Sequence, residues 1–155
     1  MKVSIFGGSG FVSSSGRSNN NLKISINKNY SSTEGLKVDV NVPNYDEVYI
    51  AGSGDINLID FKNNNLSLSI DGSGDIKGYG DVQTLIVKIN GSGDMMLKDL
   101  KSKTTKITIN GSGDAEIWAS ESISAVINGS GDIKYYGDPI NVKREVNGSG
   151  NISSP

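Results

Sequence analysis

The sequence predicts an all-β fold: a single-stranded, right-handed parallel β-helix (β-solenoid) with about 19–20 residues per coil. Three observations carry this. A Gly-Ser-Gly turn followed by Asp or Asn recurs six times, apolar residues alternate on both sides of it, and no segment repeats apolar residues with a helical period.

The turn begins at Gly52, Gly72, Gly91, Gly111, Gly129 and Gly148, in steps of 20, 19, 20, 18 and 19 residues. Two residues before its first glycine stands an apolar column: Ile50, Ile70, Ile89, Ile109, Ile127 and Val146. Two positions earlier come Val48, Leu68, Val87, Ile107 and Ala125, with Arg144 breaking the series. After the acidic residue come Ile56, Ile76, Met95, Ala115, Ile133 and Ile152, then Leu58, Gly78, Leu97, Ile117 and Tyr135. Period-two alternation on either side of a glycine corner describes two half-buried strands. One such unit cannot bury its apolar row alone. Stacking units about 4.8 Å apart buries the rows and pairs the backbones.

The corner calls for glycine because a tight turn needs φ > 0. Serines 53, 73, 92, 112, 130 and 149 stack as one expected polar ladder. The residues before the first glycine (Asp71, Asn90, Asn110, Asn128, Asn147) stack as another, whose amides hydrogen-bond along the axis. The second corner varies, from Asp60-Phe61-Lys62 to Gly137-Asp138-Pro139. Residues 1–35 read as an irregular N-terminal coil, cap or anchor, and 36–155 as the repeat domain. About seven or eight coils are expected in all.

Composition narrows the function. Of 155 residues only 35% are hydrophobic and 6% aromatic, and 20 are glycine, which suits a thin, turn-rich solenoid. There is no Cys, so disulfides contribute nothing, and no His, which removes the commonest general base and metal ligand. Net charge is −2 with scattered Lys and Arg, arguing against a nucleic-acid partner. No segment has the roughly 20 apolar residues needed to span a bilayer. The opening KVSIFGGSGFVS (residues 2–13) imitates a phosphate-binding loop, but a loop-like Ser/Asn run follows it instead of a helix.

The run LKVDVNVPNYDEVYIAGSGD (residues 36–55) and the close GSGDIKYYGDPINVKREVNGSG (residues 129–150) resemble the head GIN domain family of auto-transporter adhesins, found in Bacteroidetes-type bacteria. The resemblance covers roughly residues 36 to 154. It implies a right-handed β-helix and brings no catalytic residues. Members usually carry an export or lipoprotein signal, and the opening MKVSIFGGSG has no apolar core of that kind.

Two rows of residues are candidates for chemistry. Asp55, Asp75, Asp94, Asp114 and Asp132 form an acidic ladder. Like charges at coil spacing repel by about 1 kcal/mol per neighbour in water, so something must offset them. The plain reading is that each carboxylate accepts hydrogen bonds from its own glycine turn. Calcium bound between coils is the sharper and weaker one. Four positions after the acidic row come Ile59, Tyr79, Lys98, Trp118 and Tyr136, of which Tyr79, Lys98, Trp118 and Tyr136 form a candidate binding face for a sugar ring or a partner protein.

The leading expectation is a non-enzymatic structural and attachment protein with no cofactor. It is displayed on a virion surface as a phage-type decoration or spike component, with capsid or tail partners. The alternative is a bacterial cell-surface or periplasmic adhesin-like domain, binding glycan or protein, whose signal is absent from this sequence. A polysaccharide-acting β-helix enzyme is the third reading. A homo-oligomer is expected insofar as the solenoid's open ends need cover.

Overall fold

The computed structural model describes residues 45–155 in full and, before them, only the strands Lys2–Phe6, Asn21–Ile24 and Lys37–Asn41. The 35/36 boundary and the phosphate-loop-like glycines at 7–10 lie outside the described residues.

The architecture is a parallel β-solenoid. Strands β1 (Lys2–Phe6), β2 (Asn21–Ile24), β3 (Lys37–Asn41), β4 (Glu47–Gly52), β5 (Asp55–Gly72), β6 (Ile76–Gly91) and β7 (Met95–Gly111) are followed by β8 (Ala115–Trp118), β9 (Ser122–Gly129), β10 (Ile133–Tyr136), β11 (Asn141–Gly148) and β12 (Ile152–Ser153). One row of parallel strands enters the Gly-Ser-Gly corners: β2, β4, the end segments of β5, β6 and β7, then β9 and β11. The other row leaves them: β3, the opening segments of β5, β6 and β7, then β8, β10 and β12. Gly52, Gly72, Gly91, Gly111, Gly129 and Gly148 fall in one register, each opposite the next.

The solenoid makes about six turns rather than the seven or eight the period suggests. One reason is that β1 runs antiparallel to β3, pairing Lys2 with Asn41 and Phe6 with Lys37, so it adds no parallel rung.

All four apolar columns form the core. From Val48 to Ile127 the pre-corner residues are at most 5% exposed. Ile56, Leu58, Ile76, Met95, Leu97, Ala115, Ile117, Ile133 and Tyr135 line the other wall and are equally buried. The columns fail only at β11, all eight residues of which are exposed, including Val146, because among the described residues β11 is paired on one side only, with β9.

The corner uses glycine for two separate reasons. Gly111 has φ 146°, and a Cβ there would stand 2.1 Å from the Gly91 carbonyl oxygen. Gly113 has no such dihedral demand, yet its Cβ would stand 2.1 Å from the Gly93 oxygen. The first glycine answers to the turn and to the neighbouring coil; the last answers to the neighbouring coil alone. That close approach places Ser112 N–H 2.9 Å from the Gly91 carbonyl, and Ser130 N–H repeats the bond to Gly111.

At the second corner Asp60 and Asp138 take left-handed φ values of 52° and 50°. Where the coil shortens, after β8, the buried hydroxyls of Ser102 and Thr105 stand 2.6 Å apart and both lie within reach of the Trp118 carbonyl, so their two protons serve three contacts. No buried side-chain polar atom among the described residues is left without a partner.

Candidate binding face

The acidic row is a stacking device. Asp55 accepts from the backbone N–H of Asp75 at 3.0 Å, Asp75 from Asp94 at 2.9 Å and Asp94 from Asp114 at 2.8 Å. Asp114 then accepts from Asp132 at 2.7 Å, and Asp132 from Asn151 at 2.8 Å. The expected partner was the amide of the same turn; the observed one belongs to the next coil. The reason is geometric: the coils approach so closely at the glycine corner that the neighbouring amide is within direct reach. Each carboxylate thus satisfies a donor and has its charge offset by a peptide dipole. Among the described residues no group of three or more His, Cys, Asp or Glu is placed to hold a metal ion.

The Asn ladder runs beside it. Asn110 donates to Asn90 at 2.8 Å, Asn128 to Asn110 at 2.8 Å and Asn147 to Asn128 at 3.0 Å. Asn90 donates in turn to Asp71, which also accepts from the Tyr49 hydroxyl at 2.6 Å. Those bonds hold the Asp71 carboxyl below its usual range, the one from Tyr49 first and that from Asn90 second. The same contact raises the Tyr49 phenol. The six serines of the corners are all exposed, and their ladder is made of backbone bonds.

The aromatic row divides into two parts. A bulge between Lys77 and Tyr79 sets Tyr79 opposite Asp99, one place out of line with Lys98. Tyr79 is 43% exposed, and with Ile59, Lys77, Met96, Lys98 and Asp99 it lines an open groove of about 340 Å³. Its floor includes Gly78, the one position in that core column without a side chain. Trp118 and Tyr136 are neighbours across the β8–β10 pairing and are only partly exposed. The Lys101 ammonium sits 3.3 Å from the Trp118 ring centroid, and the Tyr136 hydroxyl donates to Glu116 at 3.2 Å. Lys98 approaches the same Glu116 at 4.0 Å. The structure therefore brings Tyr79 and Lys98 together at an open groove, and keeps Trp118 and Tyr136 in a packed patch further along the face.

Met96, 39% exposed, belongs to the groove and was missed in the sequence. It stands one residue after core Met95, and only outward alternation marks it. A larger groove, about 520 Å³, crosses Thr104, Ser122 and Lys143 near the end of the solenoid; its walls are mostly hydroxyls, Lys and the exposed Ile140.

Comparison with known proteins decides the family. The family described as "Putative auto-transporter adhesin, head GIN domain" matches residues 12–98 and again 46–139, most of the chain. The chain belongs to the head GIN domain family. Among solved structures, this head GIN domain is similar to a "putative adhesin" of Bacteroides fragilis (TM-score 0.70, 22% identity, covering 94% of this chain and 76% of that one). It is also similar to a "Putative lipid binding protein" of Parabacteroides distasonis (TM-score 0.66, 29% identity), covering 77% of this chain and 56% of that one. The first likeness concerns the fold alone. No curated protein matches. No helix among the described residues is long and apolar enough to cross a membrane.

Proposed function

We propose that this head GIN domain is a non-catalytic attachment module of a bacterial cell surface, and that it contacts a glycan through the groove at Tyr79. The family, described as an auto-transporter adhesin, supports the bacterial setting; nothing in the comparisons points to a virus particle. The observation that carries the ligand reading is the exposed Tyr79 ring beside Met96, flanked by Lys77, Lys98 and Asp99. An aromatic face of this kind stacks on the apolar face of a sugar ring, while flanking charged groups hydrogen-bond its hydroxyls. Catalysis finds little support in the same place: the chain has no His or Cys, and its carboxylate row is engaged with backbone amides.

The test is retention of the purified chain on immobilised glycans, including capsular polysaccharides and mucin glycans, beside phosphatidylglycerol vesicles and a protein-only surface. Binding to at least one glycan, lost in Tyr79→Ala with unchanged circular dichroism, supports the reading. Binding only to vesicles or to the protein surface, or glycan binding indifferent to Tyr79→Ala, overturns it.

A further inference from the structure

Among the described residues β11 has an open edge, and its sequence is self-complementary. β11 pairs with β9 on one side, and among the described residues nothing pairs with it on the other. Its register on β9 sets Val142, Arg144 and Val146 over the core residues Ile123, Ala125 and Ile127, so these three face the open end of the core. Lys143, Glu145 and Asn147 lie over Ser124, Val126 and Asn128 on the outer face. Val142 and Val146 are 41% and 42% exposed, and Ile140 just before them 86%. An unpaired edge with exposed apolar side chains recruits another strand.

Residues 141–147 read Asn-Val-Lys-Arg-Glu-Val-Asn, a palindrome in chemical character centred on Arg144. We propose that β11 is the dimer interface of this chain, pairing antiparallel with β11 of a second copy about a two-fold axis through Arg144. Inward residues must meet inward residues, so only alternate registers are allowed. In the register centred on Arg144, Val142 faces Val146 of the second copy and Asn141 faces Asn147. Lys143 faces Glu145, and by symmetry Glu145 faces Lys143, giving two opposite-charge pairs on the outer face. Shifting by one allowed step either way sets Lys143 against Lys143 or Glu145 against Glu145 and loses both opposite-charge pairs, so the register centred on Arg144 keeps two attractive pairs against the single approach of Arg144 to Arg144 on its axis. The interface is isologous and closes at two copies, so it covers the edge without building a fibre.

Arg144 is the one inward residue without an apolar counterpart. It lies over the Tyr135 ring, 5.0 Å from centroid to guanidinium carbon, and donates to the Tyr135 hydroxyl. That contact engages each guanidinium with its own chain where the two copies meet on the axis.

Charge reversal tests the pairing. Sedimentation velocity over a concentration series is run on the wild type, Lys143→Glu, Glu145→Lys, the double variant, and an equimolar mixture of the two single variants. Wild type is expected to dimerise. Either single reversal creates two like-charge pairs and is expected to weaken the dimer about tenfold or more. The double variant and the mixture each restore opposite charges across the axis and are expected to recover it. A wild type that stays monomeric throughout overturns the proposal. So does self-association beyond dimers, or dimerisation indifferent to the single reversals. Failure of the mixture to recover also overturns it, and because both variants must be folded to pair, circular dichroism of each accompanies the measurement.

Discussion

The Asp94 carboxylate accepts a hydrogen bond from the backbone N–H of Asp114, 2.8 Å away and one coil further along. The same bond joins every consecutive pair in the acidic row, from Asp55 to Asn151. A row of like charges is thereby stitched to a row of amides. What the bond needs from residue 94 is an acceptor oxygen; the negative charge strengthens it but also repels its neighbours.

Asp94→Asn should therefore change stability by less than about 0.5 kcal/mol, the lost charge assistance being offset by relief of repulsion. Asp94→Ala leaves the Asp114 amide without its acceptor and should cost about 1–2 kcal/mol. Urea unfolding followed by tryptophan fluorescence checks both.

The Asn ladder predicts a dependence on position. Asn110 donates to Asn90 and accepts from Asn128, so Asn110→Ala breaks two bonds and should cost about 1–2 kcal/mol. Asn147 stands at the end of the ladder and makes one bond to it, so Asn147→Ala should cost less, about 0.5–1 kcal/mol. Equal shifts in urea midpoint would show that the ladder carries no stability of its own.

The Tyr49–Asp71 contact predicts a pH response with two limbs. Asp71 is depressed when folded, so its contribution is present above the ordinary carboxylate range and is lost as pH falls through the folded value. Tyr49 is raised, so its contribution is present below the ordinary phenol value near 10 and is lost as pH rises through the folded one. In Asp71→Asn, the Tyr49 phenol should titrate at lower pH than in the wild type, read by absorbance of the phenolate.

Much of the coil was legible in the sequence because burial repeats with it. Ile70, Ile89, Ile109 and Ile127 each precede a glycine corner, and alternation alone assigns them to the core. What one coil does to the next was less legible. The acceptor role of Asp94 toward Asp114, and the crowding of Gly113 against Gly93, arise only when coils stack at strand spacing, and spacing along the chain does not encode them. The candidate face was legible in composition but not in register. Tyr79 and Lys98 share a groove although the bulge at Gly78 moves them out of line, while Trp118 is held beneath Lys101, three residues past the Lys98 that shares its row in the sequence. Arg144 read as a broken column because it stands in β11, which among the described residues is exposed and paired on one side only.

The central claim is that the Gly-Ser-Gly corners are dictated by contact between coils and not merely by turn conformation. Gly113 separates the two, since its backbone makes no left-handed demand while its Cβ would stand 2.1 Å from the Gly93 oxygen. Equilibrium urea unfolding of Gly113→Ala is the direct measurement. The stacking account predicts a loss of about 2–4 kcal/mol, or failure to fold, because backbone must shift to admit the methyl group. A midpoint equal to or above that of the wild type, as expected for removing a flexible glycine from an uncrowded site, would contradict it.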